Sequence, residues 1–444
     1  MKQQTDTGLV RGIRRWDLVA VAINGIIGAG IFGLPSKVFA LIGAYSLIAF
    51  VACAIVVALI VLCFAEVSSR FQATGGPYLY AREAFGSVIG FEVGWLIWLA
   101  RLTAFAANCN LLVDYLGYFF PQATTTIWRA VVIITVVGLI TSVNIIGVRD
   151  SARLSNVFTI GKLLPIFLFV VVGMFFLTPQ NFSATAQLGY QTFSTSVLTM
   201  IYAFTGFEMA VIPAGEIRDP QRNLPMALLT AIALVAVVYL GIQVVCIGTL
   251  PQLATSTKPI ADAGGLFLGR AGGAIITAGV LVSIFGNLHV LILAASRLIY
   301  AMGEGKEIPR ITAATHKRFH TPHIAILITA MVMLTLTLSS SFYKQVNLSV
   351  IARLFSYAMT VAALIVLRNR TTAPAAMFKA PAGIVVAIVT LLLIVWLLSN
   401  ATLLDIRDSA IAAGVGFVIY LVYRFSGRSN PAENLSESKT LEGD

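Results

Sequence analysis

Apolar residues run through this chain in long blocks, separated by short polar connections, and they show neither strict alternation nor a single amphipathic stripe. Twelve blocks stand out, at about 16–41, 45–68, 86–115, 127–147, 155–178, 195–216, 224–250, 272–300, 323–341, 347–367, 380–400 and 408–425. Each is close to the roughly 20 residues a helix needs to cross a bilayer. The pattern predicts an all-α polytopic membrane protein with twelve transmembrane helices in one domain over 1–425, followed by a polar cytoplasmic tail over 426–444. Composition agrees: 58% of the 444 residues are apolar and 11% are charged, against roughly 25% charged in a soluble domain. Mean hydropathy is +0.90. These values exclude a cytosolic enzyme, a disordered chain and a secreted disulfide scaffold. The first block is too long for the apolar core of a signal peptide and ends at no small-residue cleavage site.

The net charge of +11 points to orientation. With the N-terminus inside, the inner segments hold 21 of the 30 Lys and Arg residues, the outer segments 6, and the blocks themselves 3. Cytoplasmic loops carry such an excess, so both termini are expected in the cytoplasm, in a plasma (inner) membrane. The basic excess is therefore no nucleic-acid footprint. The longest inner connection, 302–322, is basic and reads as a solvated loop touching anionic lipid. Cys53, Cys63, Cys109 and Cys246 lie in apolar blocks without ligand spacing, which predicts buried thiols and no metal site. No nucleotide, metalloprotease or nucleophile-elbow motif is present, so neither a cofactor nor direct ATP coupling is expected.

Two blocks look interrupted. The first holds Gly25, Gly28, Gly30 and Gly33 ahead of Pro35, and each interior glycine costs about 1 kcal/mol against alanine in a helix. Close packing of small residues at Gly25, Ala29 and Gly33 is one reading; unwinding at mid-membrane around a cavity is the other. The sixth block carries Gly206 between Thr205 and Glu208. Interrupted helices five apart point to an inverted repeat with a substrate site between the breaks. Amides freed after a break hold a carboxylate, and carbonyls freed before it hold an ammonium. A zwitterionic α-amino acid fits both.

The run Gly25–Pro35 resembles the first-helix signature of the amino acid–polyamine–organocation superfamily. Phe64–Gly86, Gly206–Glu208 with Glu216–Pro225, Ala295–Met302 and Phe319–Pro322 are similar to further family segments, in order. The resemblance implies a LeuT-type 5+5 inverted repeat, with repeat one at about 12–178, repeat two at about 195–368 and peripheral helices at about 380–425. Helices 1 and 6 would be unwound. It places a substrate carboxylate at the amides near Ala29, Gly30 and Ile31, and an ammonium at carbonyls near Ile26, Ile27, Phe204 and Thr205, with Gly28 and Gly206 in the breaks. Tyr202 or Phe204 would close over the substrate. It also implies that Lys162 takes the place of a sodium ion near Gly28, with Ser283 accepting from its ammonium.

Other charges fall at membrane depth, where they are functional candidates. Arg101 is either paired with Glu92, Glu208 or a carbonyl, or a cation that anchors an acidic substrate side chain. Glu208 is either a hydrogen-bonding strut or a coupling group. Glu66 and Arg70, with Glu216, Arg218 and Asp219, read as gate pairs or as solvated loop charges. His289 reads as a packing residue. The expected function is sodium-independent secondary transport of neutral amino acids by alternating access, with a proton as co-substrate. Amino acid exchange and polyamine or organocation carriage are the alternatives, and a permease-derived nutrient sensor is the alternative of a different class.

Overall fold

In the computed structural model the described residues are 13–73, 75–146, 151–183, 188–212, 214 and 217–426, without the side chains of 151–160, 162 and 426. Among them, fourteen α-helices form: α1 (Arg15–Ile26), α2 (Gly30–Ile42), α3 (Ser46–Ser68), α4 (Pro77–Phe85), α5 (Ser87–Leu116), α6 (Thr126–Ile146), α7 (Ser151–Gly173), α8 (Tyr190–Phe204), α9 (Pro220–Thr249), α10 (Pro259–Glu304), α11 (His323–Ser339), α12 (Phe342–Asn369), α13 (Gly383–Leu398) and α14 (Leu403–Ser426). The described residues contain no β-strand, only an isolated parallel bridge between Ile13 and Ile217. Seven stretches among them are long and apolar enough to cross a membrane by length and composition, the first at Gly30–Ser68 and the last at Leu403–Phe425. Shorter apolar helices lie at Leu163–Phe176, His323–Ser339 and Gly383–Leu398.

The outer faces of these helices are apolar: Ile127, Phe175, Val237, Val395 and Val418 are all exposed. A hydrocarbon solvent accepts such a surface and water does not, so the chain is an integral, polytopic membrane protein. Polar side chains turn inward instead. Asn108, Asn110, Gln243, Gln345 and Arg353 are buried, and α5 is the helix around which α10, α11, α12 and α14 pack.

Three local results differ from the block pattern. The first block is two helices, α1 and α2, separated at 27–29. The block at 272–300 is the later part of α10, which starts at Pro259 and bends where Gly269 takes φ 69°. The basic loop at 302–322 is solvated only in part. Arg310, Lys317 and Arg318 are exposed, whereas Glu307, Ile308, Thr312 and Thr321 are buried.

The end of the bundle where α3 finishes is held by one carboxylate. Glu66 is fully buried and accepts from Arg368 Nε and Nη2 (2.7 and 2.6 Å), from Arg70 Nη2 (3.3 Å) and from the Ala380 amide (2.8 Å). Arg368 follows Glu66 by some 300 residues, so the pairing anticipated within the Glu66–Arg70 segment has its stronger half on α12. Glu216 lies outside the described residues, and no ion pair to Asp219 occurs among them.

Beside it, outside the spans, Tyr78 on α4 donates to Glu307 Oε1 (2.8 Å) and accepts from Arg82 Nη1 (3.0 Å). Burial pushes the Tyr78 hydroxyl up to about 12, with Glu307 adding to it. Burial also raises the Glu307 carboxyl, against the opposing effects of Tyr78 and Arg82. A carboxyl raised on folding stabilises the fold fully below its unfolded pKa, and that contribution is lost as pH rises through the folded value. Thermal melts of purified protein from pH 4 to pH 8 are therefore expected to fall less steeply for Glu307→Gln than for the parent. Equal slopes would remove Glu307 from the account.

Candidate functional site

The break in the first span follows from its glycines and from what they meet. α1 closes with the Ile27 amide on Ile23 O (2.8 Å), and the Gly28 amide turns back to Ile26 O (2.8 Å). α2 begins at Gly30, with the Phe32 and Gly33 amides both on Ala29 O (3.1 and 3.2 Å). The amides of Ala29, Gly30 and Ile31 have no backbone acceptor among the described residues. They form a helix N-terminus, where freed N–H groups and the helix dipole favour an anion.

The second break faces the first. α8 stops at Phe204, Thr205 is extended, and Gly206 adopts φ 109°. A 3-10 turn, Phe207–Met209, follows it, and no α-helix resumes among the described residues until α9. The reason for glycine at both breaks is contact between backbones. A Cβ on Gly25 would stand 2.6 Å from the Gly206 carbonyl oxygen, and one on Gly206 would strike the Gly25 carbonyl. Close packing and unwinding, posed as alternatives for these glycines, are both present. Tyr239 of α9 holds the two breaks together. Its hydroxyl lies 3.1 Å from Ile26 O and 3.0 Å from Ala203 O, with one proton shared between them.

Between the breaks is a cavity of about 30 Å³, lined by the Gly25–Gly30 segment, Thr205, Gly206, Met209 and side chains from α5, α8, α10 and α12. That is the share of one water molecule in the liquid, so an amino acid enters only if the walls part. Tyr202 forms one wall and donates to Asn108 Oδ1 (2.6 Å), and Asn108 Nδ2 donates to Asn287 Oδ1 (2.6 Å). This polar chain links α8, α5 and α10. Arg353 of α12 also reaches the cavity. It is ion-paired with Glu208, whose other oxygen accepts from the Tyr357 hydroxyl (2.8 Å) and the Gly206 amide (2.8 Å). Glu208 thus fixes the second break from beneath.

Of the residues singled out from sequence, Ile26, Gly28, Ala29, Gly30, Tyr202, Thr205 and Gly206 line the cavity. Ile27, Ile31 and Phe204 do not; Phe204 packs edge-on against Tyr239 with ring centroids 5.1 Å apart. The Lys162 side chain lies outside the described residues. Its helix packs on α10 near Ser283, since a Cβ on Gly161 would meet Val282 at 3.4 Å. Ser283 is buried, and its hydroxyl has no partner among the described residues. Of the partners anticipated for Arg101, the structure has the backbone carbonyl: Nη1 donates to Ala294 O (3.1 Å), and no hydrogen bond to Glu92 or Glu208 occurs among the described residues. His289 receives a hydrogen-bonding contact from Asn144 (3.1 Å). Asn108, Asn287 and Tyr239 were not anticipated, because a single Asn or Tyr in an apolar block gives no signal of which way it faces.

If the Tyr239 hydroxyl sets the spacing of the two breaks, Tyr239→Phe keeps the ring packing and loses the bridge. The expected cost is about 1–2 kcal/mol, a 5- to 30-fold loss in substrate affinity, with little change in melting temperature. Substrate-dependent thermal shift of both proteins measures it.

A membrane-embedded helical bundle with two backbone breaks facing each other across a small cavity defines a carrier-like protein. The chain belongs to the amino acid permease family, whose profile matches residues 13–422. It is 26% identical over 448 residues to the methylthioribose transporter of Bacillus subtilis (strain 168), covering 95% of each chain. It is 28% identical over 395 residues to the serine/threonine exchanger SteT of the same organism, covering 85% of this chain and 87% of that one. It is also 28% identical over 370 residues to the large neutral amino acids transporter small subunit 2 of Mus musculus, covering 78% of this chain and 68% of the other. It is a membrane transporter of the amino acid permease type and not an enzyme.

Proposed function

We propose that this protein carries neutral amino acids across the plasma membrane by alternating access, without sodium. The observation that carries the reading is the set of freed amides at Ala29, Gly30 and Ile31 opposite the non-helical turn at Thr205–Gly206. The amides hold the substrate carboxylate and the carbonyls before each break hold its ammonium, leaving the side chain to face Tyr202, Asn108 and Asn287. Twelve spans in two inverted five-helix repeats, with both termini cytoplasmic, are part of the proposal. Two packing patterns support the repeats. α5 lies along α12 as α10 lies along α7, and α1 lies along α9 as α8 lies along α3. Each pair exchanges with the other when the first five spans are matched to the second five. The Lys and Arg asymmetry supports the orientation.

Lys162 is assigned the cation position beside the first break, where its ammonium stands in for sodium and its proton couples uphill transport. The serine/threonine exchanger among the relatives supports a second reading, in which Lys162 stays charged and transport is exchange. Uptake of a radiolabelled amino acid panel into sodium-free proteoliposomes separates them. Uptake that requires an inward proton gradient and fails in Lys162→Ala supports symport. Uptake that ignores the gradient and requires internal amino acid establishes exchange. If no amino acid moves under either condition, the substrate class is wrong.

A further inference from the structure

Arg101 stands out among the buried groups that the proposed transport site does not use. It lies midway along α5 with 2% of its surface exposed. Its Nη1 donates to Ala294 O on α10, while Nε and Nη2 have no partner among the described residues. A guanidinium does not lose its charge in a protein. The unmatched edge is also the fork that grips a carboxylate through two parallel N–H···O bonds.

The neighbouring carboxylates do not supply the missing acceptor. Glu208 has one oxygen on Arg353 and the other on the Tyr357 hydroxyl and the Gly206 amide. Glu92 lies nine residues back on the same helix, about two and a half turns away, and its Oε1 is itself without a partner. Among the described residues, the charges that act on Arg101 are those of Glu208 and Arg353, beside the Tyr357 hydroxyl, so two guanidinium groups there face one carboxylate. A net positive charge buried at this depth is unfavourable until an anion meets it.

Arg101 does not itself line the cavity, but the cavity comes within one helical turn of it on two helices. Ala104, the next turn of α5, and Leu291, the preceding turn of α10, both line it, as does Arg353. We propose that Arg101 forms a binding site for a small monovalent anion between α5 and α10, one helical turn from this cavity. Two sources share that chemistry: an acidic side chain carried on the substrate, and an inorganic halide. In either case the anion offsets the unpaired guanidinium between α5 and α10 and favours the state in which those helices stay together.

The test reads binding rather than transport, so it stands apart from the proposed function. Purified protein is melted while sodium gluconate is exchanged for sodium chloride at constant ionic strength, and separately against aspartate, glutamate and serine. The same titrations are run on Arg101→Lys and Arg101→Met, with exposed Arg297→Met as the control. The expected result is a saturable rise in melting temperature in the parent and in Arg297→Met. Apparent affinity is expected to be about 10- to 100-fold weaker in Arg101→Met, with Arg101→Lys between. A response to chloride assigns the halide; a response to aspartate or glutamate, but not to serine or chloride, assigns the substrate carboxylate and makes the carried amino acids acidic, replacing the neutral class proposed above. A parent with no saturable response to any anion overturns the proposal, and so does an equal response in Arg101→Met. If Arg101→Met does not fold, the parent titration and Arg101→Lys still decide it: an unchanged affinity in Arg101→Lys and no response in the parent each count against the site.

Discussion

Gly206→Ala is expected to abolish measurable transport while leaving a folded protein in the membrane. The residue sits at φ 109°, which costs a side chain about 1–3 kcal/mol. The new methyl group would also meet the Gly25 carbonyl, a backbone atom that cannot rotate away; overpacking of this kind costs a further 1–3 kcal/mol, roughly. Together they separate the two breaks and misplace the freed amides, so a loss on the order of 100-fold or more follows. Gly86→Ala is the matched control. Gly86 also has positive φ, at 92°, but open space surrounds its Cβ position. It should lower the melting temperature and leave uptake per folded molecule intact. Uptake near the parent level in Gly206→Ala would show that contact between the breaks is dispensable.

Glu208→Gln carries the second large effect. The carboxylate neutralises Arg353 and anchors the Gly206 amide and the Tyr357 hydroxyl. Removing its charge leaves a buried guanidinium unpaired beside a second one, at Arg101. Breaking a buried pair in this way costs about 3–5 kcal/mol. The variant should melt well below the parent and transport poorly. Glu208→Gln combined with Arg353→Met removes both charges, and its melting temperature should recover toward the parent while transport does not. That non-additivity is the signature of a direct pair. Additive losses in the double variant would show that the two residues act separately.

These two expectations differ in how far they could be read from the chain alone. The special character of Gly206 was legible, since a glycine between Thr205 and Glu208 interrupts an otherwise apolar block, and the glycines from Gly25 to Gly33 do the same. What followed the second break was not: a half-helix was implied, and the described residues there begin with a 3-10 turn and hold no α-helix before α9. The partner of Glu208 was not legible either. Arg353 lies 145 residues away on α12, and nothing in its own block marks the side on which it faces.

The amino-acid sequence by itself determined the class of protein and the places where the backbone must leave the helix. Hydrocarbon demands long apolar stretches with every backbone group bonded internally, and glycine clusters stand out against that demand. Only the tertiary structure decided which side chains meet at the breaks. A helix surrounded by lipid on one side and by other helices on the other is apolar nearly all round, so its hydrophobic pattern carries little record of its inward face. Asn108, Asn287, Tyr239 and Arg353 come from four helices and converge only when those helices pack. The unmatched fork of Arg101 likewise exists only because packing gave Glu208 to another guanidinium.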